Sequence, residues 1–459
     1  MLSHGEANTA GVSSVTIDSL PNELLAAVFV TGREHSSKLH AHEMEVSHVA
    51  RRWRNVAVHT GALWTNIFIT CRQSPQLISL YLKRSGSHPL YVTLIPDGQR
   101  HYESFDMSPF RNIIIPHINR IRQFVLYSTR EFNSTLFKDP LFRSHLPQLK
   151  TLLIDWDQGT FFDNDNVESG IFTGGTPLLT SVELRGDGGI RVRPSLAAVT
   201  TLTLGSVNTS RKWNTIHFHD FLAATPQLSS LCIDGEIIGS WPDPEPIAIP
   251  SLISLDINFE LSNRIFVRCI ITTLMTPNLE SLTLRDVDER VIMALSSVLE
   301  SQHRYPLLQS LHFYGISIHE SANWFATVLA TLPVVTHLSL IGGEAYNAAD
   351  ILARNTSSAD VLLPELSSLR FEPMDEKVDS IYNLISHRLT HGLPISQLQS
   401  SSSIDTIPQE RQAWLRERLE LVEFPLPNRS LVLPSYMLFW HYKVSLFVSR
   451  RQNSLTLIP

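Results

Sequence analysis

Cysteine is scarce in this chain: Cys71, Cys232 and Cys269 are the only three in 459 residues. They are widely spaced, odd in number and form no C-x-x-C pair, which excludes a disulfide framework and a cysteine zinc clip and fits a reducing compartment. Surplus positive charge is missing too. Lys and Arg number 37 against 44 Asp and Glu, a net charge of -7, so nothing draws the chain toward phosphate backbones and no nucleic acid partner is expected. The opening MLSHGEANTAGVSSV lacks the basic start and apolar run of a secretory signal. A cytoplasmic or nuclear location follows, and the sequons at Asn133, Asn208, Asn355 and Asn428 are read as without meaning. The longest apolar stretch, LVLPSYMLFWHYKVSLFV at 431–448, is broken by Pro434, His441 and Lys443, so neither a spanning helix nor a membrane partner is expected.

What is present is a large apolar share, 43% of the residues, ample for a core. The length exceeds one simple domain, which points to one small domain and one large repetitive one. Residues 1–15 are small and polar and read as a disordered N-terminus. From Ile17, IDSLPNELLAAVFVTG carries a short helix. Pro21 suits its first turn, Glu23 complements its positive end and Gly32 offers a stop. Leu20, Leu24 and Val28 recur every four residues, with Leu25 and Phe29 beside them, as one apolar stripe. A second stripe, Val46, Val49, Trp53 and Val56, follows in EMEVSHVARRWRNVAVHT, and Leu63, Trp64 and Ile67 make a third cluster.

Beyond residue 111 the chain repeats itself. The unit P-x-L-x-x-L-x-L occurs as PQLKTLLI from Pro147, PLLTSVEL from Pro177, PQLSSLCI from Pro226, PSLISLDI from Pro250, PNLESLTL from Pro277, PLLQSLHF from Pro306, PVVTHLSL from Pro333 and PELSSLRF from Pro364. A looser copy, VTTLTL, ends at Leu204. From Pro226 the prolines fall 24, 27, 29, 27 and 31 residues apart, close to the length of a strand-plus-helix repeat. RIFVRCIITTLM, DERVIMALSSVLESQ and SANWFATVLATL have helical spacing between the strands, so the sheet is expected to be parallel. HINRIRQFVLY at 117–127 reads as a degenerate first repeat that caps the stack, the serines at 400–403 as a surface loop and RQAWLRERLELVEF as a last helix and strand.

The first 70 residues, with LPNELLAAVF, EVSHVARRWRNVAVHTGALW and TNIFI, resemble an F-box, and the whole chain to about Phe424 resembles fungal F-box proteins with leucine-rich-repeat-like C-terminal regions. LKRSGSHPLYVTL and HINRIRQFVLY look like connector segments of that family. The resemblance implies an N-terminal small all-α F-box at 16–69, a connector at 70–110, an α/β leucine-rich-repeat-like solenoid with a curved parallel sheet at 111–424, and an apolar tail of uncertain structure at 425–459. It further implies a non-catalytic substrate-recognition adaptor subunit of a ubiquitin ligase, bound to a Skp-type adaptor and through it to cullin and RING subunits, with a protein substrate held on the repeats. A Skp-binding scaffold or regulatory protein without ubiquitin transfer is the alternative. Skp contacts carried over are Leu20, Pro21, Leu24, Val28, Phe29, Val46, Val49, Trp53, Leu63 and Trp64, some of which belong to the module's own core. Ala50 stands where the family often has cysteine and Gly61 where it often has proline, and the repeats lack the asparagine that many such repeats place after the strand.

Strand alternation turns the leucines of each L-x-L toward the core and the intervening residues outward. The outward candidates for substrate binding are Asp155, Glu183, Asp234, Asp256, Arg285, His312, Tyr314, His337 and Arg370. They trend from acidic to basic and aromatic, with Arg185 and Glu372 as exceptions. Sharper chemistry finds little support. His40 with His42 and His217 with His219 would align on a strand for a metal, but third and fourth ligands are not evident, and a surface or packing role is the plainer reading. RGDGGIRV at 185–192 lacks the third glycine and the helix of a dinucleotide loop. DNDNVES at 163–169 lacks a ligand and the glycine of a calcium loop. Arg51, Arg52 and Arg54 read as a solvated helix face. With no GxSxG, P-loop or HExxH motif, no cofactor, metal or catalytic residue is expected.

Overall fold

The computed structural model describes residues 17–34, 42–70, 73–95, 107–129, 139–157, 169–186, 192–205, 212–241, 245–260, 262–301, 304–319, 323–354, 361–373, 379–400 and 408–423. Residues 1–15, His40, Cys71, the four sequon asparagines, most of the 163–169 and 185–192 segments, the serines after Ser400 and the tail from 425 lie outside these. Among the described residues the chain is α/β, with a parallel sheet of fourteen strands and twelve α-helices. It divides into two compact units near residue 200.

The first unit opens with α1 (Asn22–Glu34), α2 (His42–Val49) and α3 (Arg51–His59). Pro21 precedes α1, and its carbonyl accepts from the Leu25 N–H at 3.0 Å. Gly32 is not the stop expected of it: α1 runs two residues further. The ring of His42 reaches the Phe29 carbonyl at 2.9 Å, and a Cβ on Gly32 would come within 2.9 Å of that ring. The glycine thus clears space for the next helix. The second apolar stripe is likewise split. Ala50 is extended, with φ -152 and ψ 163, so α2 and α3 are separate helices and Val49 stays 62% exposed while Val46 and Val56 are buried.

Strands β1 (Asn66–Thr70), β2 (Leu90–Ile95), β3 (Ile121–Thr129), β4 (Thr151–Asp157) and β5 (Ser181–Gly186) follow in sheet order. Helices α4 (Pro75–Arg84) and α5 (Ser108–Ile114) lie between the first three. This corrects the reading of 117–127 as the first repeat, because β1 and β2 already pair in parallel ahead of it. The IFI and YVTL alternation suffices for a strand without the proline signature, and residues 70–110 contain a helix and a strand.

The second unit alternates strand and helix. Its strands are β6 (Thr201–Gly205), β7 (Ser230–Asp234), β8 (Ser254–Asn258), β9 (Ser281–Arg285), β10 (Ser310–Tyr314), β11 (His337–Gly342), β12 (Ser368–Pro373), β13 (Gln397–Ser400) and β14 (Glu420–Glu423), paired in sequence order. The helices are α6 (Thr215–Ala223), α7 (Arg264–Thr273), α8 (Glu289–Ser301), α9 (Asn323–Ala330), α10 (Ala345–Arg354), α11 (Asp379–Thr390) and α12 (Gln409–Arg416).

The repeated P-x-L is a turn. The residue before proline accepts from the N–H three positions on, as in Leu228 to Thr225 at 3.2 Å, Leu279 to Thr276 at 3.2 Å and Leu366 to Leu363 at 3.1 Å. Proline sits where its fixed φ costs nothing. In the looser copy, Val199 donates to Leu196 at 3.0 Å with Ala197 in place of proline. The turn drops a leucine or valine into the core; Leu228, Leu252, Leu279 and Leu308 are fully buried, each worth about 2–3 kcal/mol. Past the strands the chain turns through left-handed backbone at Gly235 (φ 78), Asp286 (φ 53) and Gly315 (φ 63), immediately after β7, β9 and β10. Glycine adopts that conformation freely and aspartate does so better than most.

Candidate functional site

Two surfaces gather the candidate residues. On the N-terminal helices two neighbouring stripes of α1 part company. Leu25 and Phe29 are buried, whereas Leu24 and Val28, one turn apart on the same face, are 53% and 49% exposed. Pro21, Ile17 and Val49 are exposed as well, and Leu20 and Trp53 are half-buried. Phe29, Val46, Leu63 and Trp64 belong to the protein's own core and cannot reach a partner in this conformation.

That core explains the division. Trp64 donates to the Ala57 carbonyl at 2.8 Å, meets Tyr81 edge-on at 4.9 Å and lies under the Arg84 guanidinium at 4.3 Å. The Tyr81 hydroxyl donates to buried Glu43 at 2.9 Å, and burial followed by that carboxylate raises its pKa. Nor are the arginines of α3 merely solvated. Arg52 donates to the Leu20 carbonyl and to Asn22 Oδ1, and Arg54 to the Ser47 carbonyl at 3.0 Å, so they hold the helices in register. An apolar row left outside a completed core costs solvation unless a partner covers it.

The second surface is the sheet face opposite the core. In the first unit Asp155 is buried, Glu183 half-buried, and Arg185 is 6% exposed and paired with Glu183 at 2.5 Å. Burial, then Asp155 and Glu183, push neighbouring Tyr127 up to about 12. In the second unit the register aligns Asp234, Asn258, Arg285 and Tyr314 across adjacent strands. Asn258 donates to Asp234 at 2.8 Å, Arg285 pairs with Asp256 at 2.5 Å, and its guanidinium lies 5.9 Å from the Tyr314 ring centre. Burial raises the Asp256 pKa in spite of Arg285. The next row aligns Asp256, Thr283, His312, Ser339 and Arg370. His312 meets Ser339 at 2.7 Å and burial lowers its pKa, so it is neutral near pH 7. Arg370 is bound to Glu372 at 2.7 Å, and His337 is exposed.

Sequence reasoning found most of this face from the L-x-L rule but missed Tyr127, Asn258 and Ser339, which sit at the same alternating positions. It also treated the charges as a gradient, whereas Arg185, Arg285 and Arg370 each pair with a carboxylate. His217 and His219 are not on a strand. Asn214 accepts from the His217 N–H at 2.7 Å and starts α6 there, and residues two apart on a helix point about 200° apart. Among the described residues no group of three or more His, Cys, Asp or Glu could hold a metal ion, and no helix is long and apolar enough to cross a membrane. No protein-family model matches the chain, and neither does any curated protein.

Proposed function

We propose that the chain is the substrate-recognition subunit of a Skp-cullin-F-box ubiquitin ligase: α1–α3 act as an F-box docking on a Skp-type adaptor, and the leucine-rich-repeat-like sheet holds a target protein. The observation that carries the reading is the exposure of Leu24 and Val28 on α1, with Pro21 and Val49, beside a core already closed by Phe29, Leu63 and Trp64. Aliphatic side chains at helical spacing are what a hydrophobic groove on a partner takes up, and a buried anchor at such an interface is typically worth about 2 kcal/mol. Proximity is then the whole mechanism, since the chemistry of ubiquitin transfer resides in other subunits.

Co-purification of the full chain with a Skp-type adaptor tests docking. The variant Leu24→Asp/Val28→Asp should lose the adaptor while thermal unfolding of the chain is unchanged; an undiminished complex would refute the docking face. Reconstitution with cullin and RING subunits then asks whether a captured partner gains ubiquitin. Adaptor binding without any transfer would leave a scaffold role instead. Charge reversal at Arg285 and Arg370 should weaken capture of the partner, and capture untouched by both would remove the sheet face from the proposal.

A further inference from the structure

A cavity of about 530 Å³ opens in the second unit beyond the carboxyl ends of β9, β10 and β11, and the residues on its wall include Asp288, Glu289, Ser317, His319, Glu344 and Asn347. The outer ends of parallel strands are where such sheets place ligands, and the volume lies in the range of ligand pockets. Two helices, α8 and α10, start at its wall, which by itself would favour an anion. The chain has filled the first of these starts: Asp288 accepts from the N–H groups of Arg290 and Val291 at 2.9 and 3.2 Å and pairs with the Arg290 guanidinium. That leaves Glu289 and Glu344 without a cationic partner, the first accepting the His319 N–H at 3.3 Å and the second the Ser317 hydroxyl at 3.1 Å.

Asn347 decides the character of the site. It is 8% exposed, and its Nδ2 donates to the Ile318 carbonyl at 2.8 Å, which fixes the amide orientation. Its Oδ1 accepts no hydrogen bond among the described residues and is not sealed from solvent. A buried amide oxygen with nothing to accept costs free energy unless a donor reaches it. One amide oxygen and two carboxylates make an acceptor set, and the ligand that matches it is a planar cation with several N–H donors. The field agrees, because Glu260 and Asp286, at the same end of neighbouring strands, have pKa values raised by burial and then by surrounding carboxylates.

We infer that this cavity receives the guanidinium of an arginine presented by a partner protein, with Glu289 and Glu344 pairing its charge and Asn347 Oδ1 taking a further N–H. The identity of the presenter rests on the adaptor reading above, the arginine being part of the target protein. The test uses the full chain and a fluorescein-labelled Gly-Ser octapeptide with one central arginine, read by anisotropy, beside the same peptide carrying neutral, isosteric citrulline. The arginine peptide should bind at least ten-fold more tightly than the citrulline peptide, and E289Q/E344Q should erase the difference with the unfolding transition unmoved. Equal binding of the two peptides, or an arginine preference that survives E289Q/E344Q, would overturn the inference. Skp-adaptor capture measured on the same variant separates the outcomes: it is retained if only the cavity assignment fails and absent in the parent chain if the adaptor reading fails.

Discussion

The rings of Phe29 and Trp53 pack with centroids 5.0 Å apart and planes tilted by 51°, so α1 is fastened to α3 on the side away from Leu24 and Val28. Trp53→Ala should therefore destabilise the helical region by about 2 kcal/mol. Leu24→Ala, at an exposed site, should change stability by no more than about 0.5 kcal/mol. Hydrogen exchange of α1–α3 amides in the two variants distinguishes them: equal protection would show that the aromatic pair does not hold the helices.

Gly342 ends β11 with φ 145, and a Cβ there would lie 2.6 Å from the Ile316 backbone nitrogen, while its neighbour Gly343 has open space around it. Gly342→Ala should cost more than about 2 kcal/mol, since backbone cannot yield as a flexible side chain does. Gly343→Ala should be tolerated. Paired urea titrations of the two alanine variants check this, and coincident midpoints would reject it.

Arg388 is 1% exposed and donates to the Leu362 and Leu363 carbonyls at 3.0 Å each. Burial brings its pKa down to about 10, so it stays charged at neutral pH. Leu363 holds a positive φ of 51 at the turn before β12. Replacing the guanidinium by an apolar chain strands these carbonyls, and Arg388→Met should cost about 2–4 kcal/mol. A calorimetric transition within about 1 °C of the parent would contradict the role.

The sequence carried the strands from β4 onward because one local device, the proline turn, precedes a leucine in almost every copy. It was silent where the device is replaced, so β1 and β2 went unrecognised as sheet members. On α1, periodicity placed Leu24 and Val28 beside Leu25 and Phe29, but the two stripes are adjacent and equally apolar, and only tertiary packing decides which is buried. The cavity was illegible for another reason. Asp288, Ser317 and Asn347 come from three successive loops about 30 residues apart, and no short-range pattern joins them.

Asp286 holds a φ of 53 at a place where the loops after β7 and β10 use glycine, and burial followed by Asp234 raises its pKa. A carboxyl whose folded pKa exceeds its ordinary value binds its proton more tightly in the native state. Its cost is thus absent in acid and sets in as pH rises through the ordinary value toward the raised one. Asp286→Asn tolerates the same backbone and removes the charge. It should stabilise the chain at pH 7 by about 0.3 kcal/mol, a small gain because the group is exposed and screened. The gain should vanish below the ordinary carboxylate range, as read from unfolding midpoints at several pH values.

Every strand of the second unit pairs with its immediate predecessor and successor in the chain. No pairing there closes a long loop, so separation can begin at the β14 edge and move inward as a zipper opens, each released strand leaving the remainder intact. Deuterium uptake should climb in steps toward that edge, and shortening the chain from its far end should erode cooperativity gradually instead of abolishing folding at one cut.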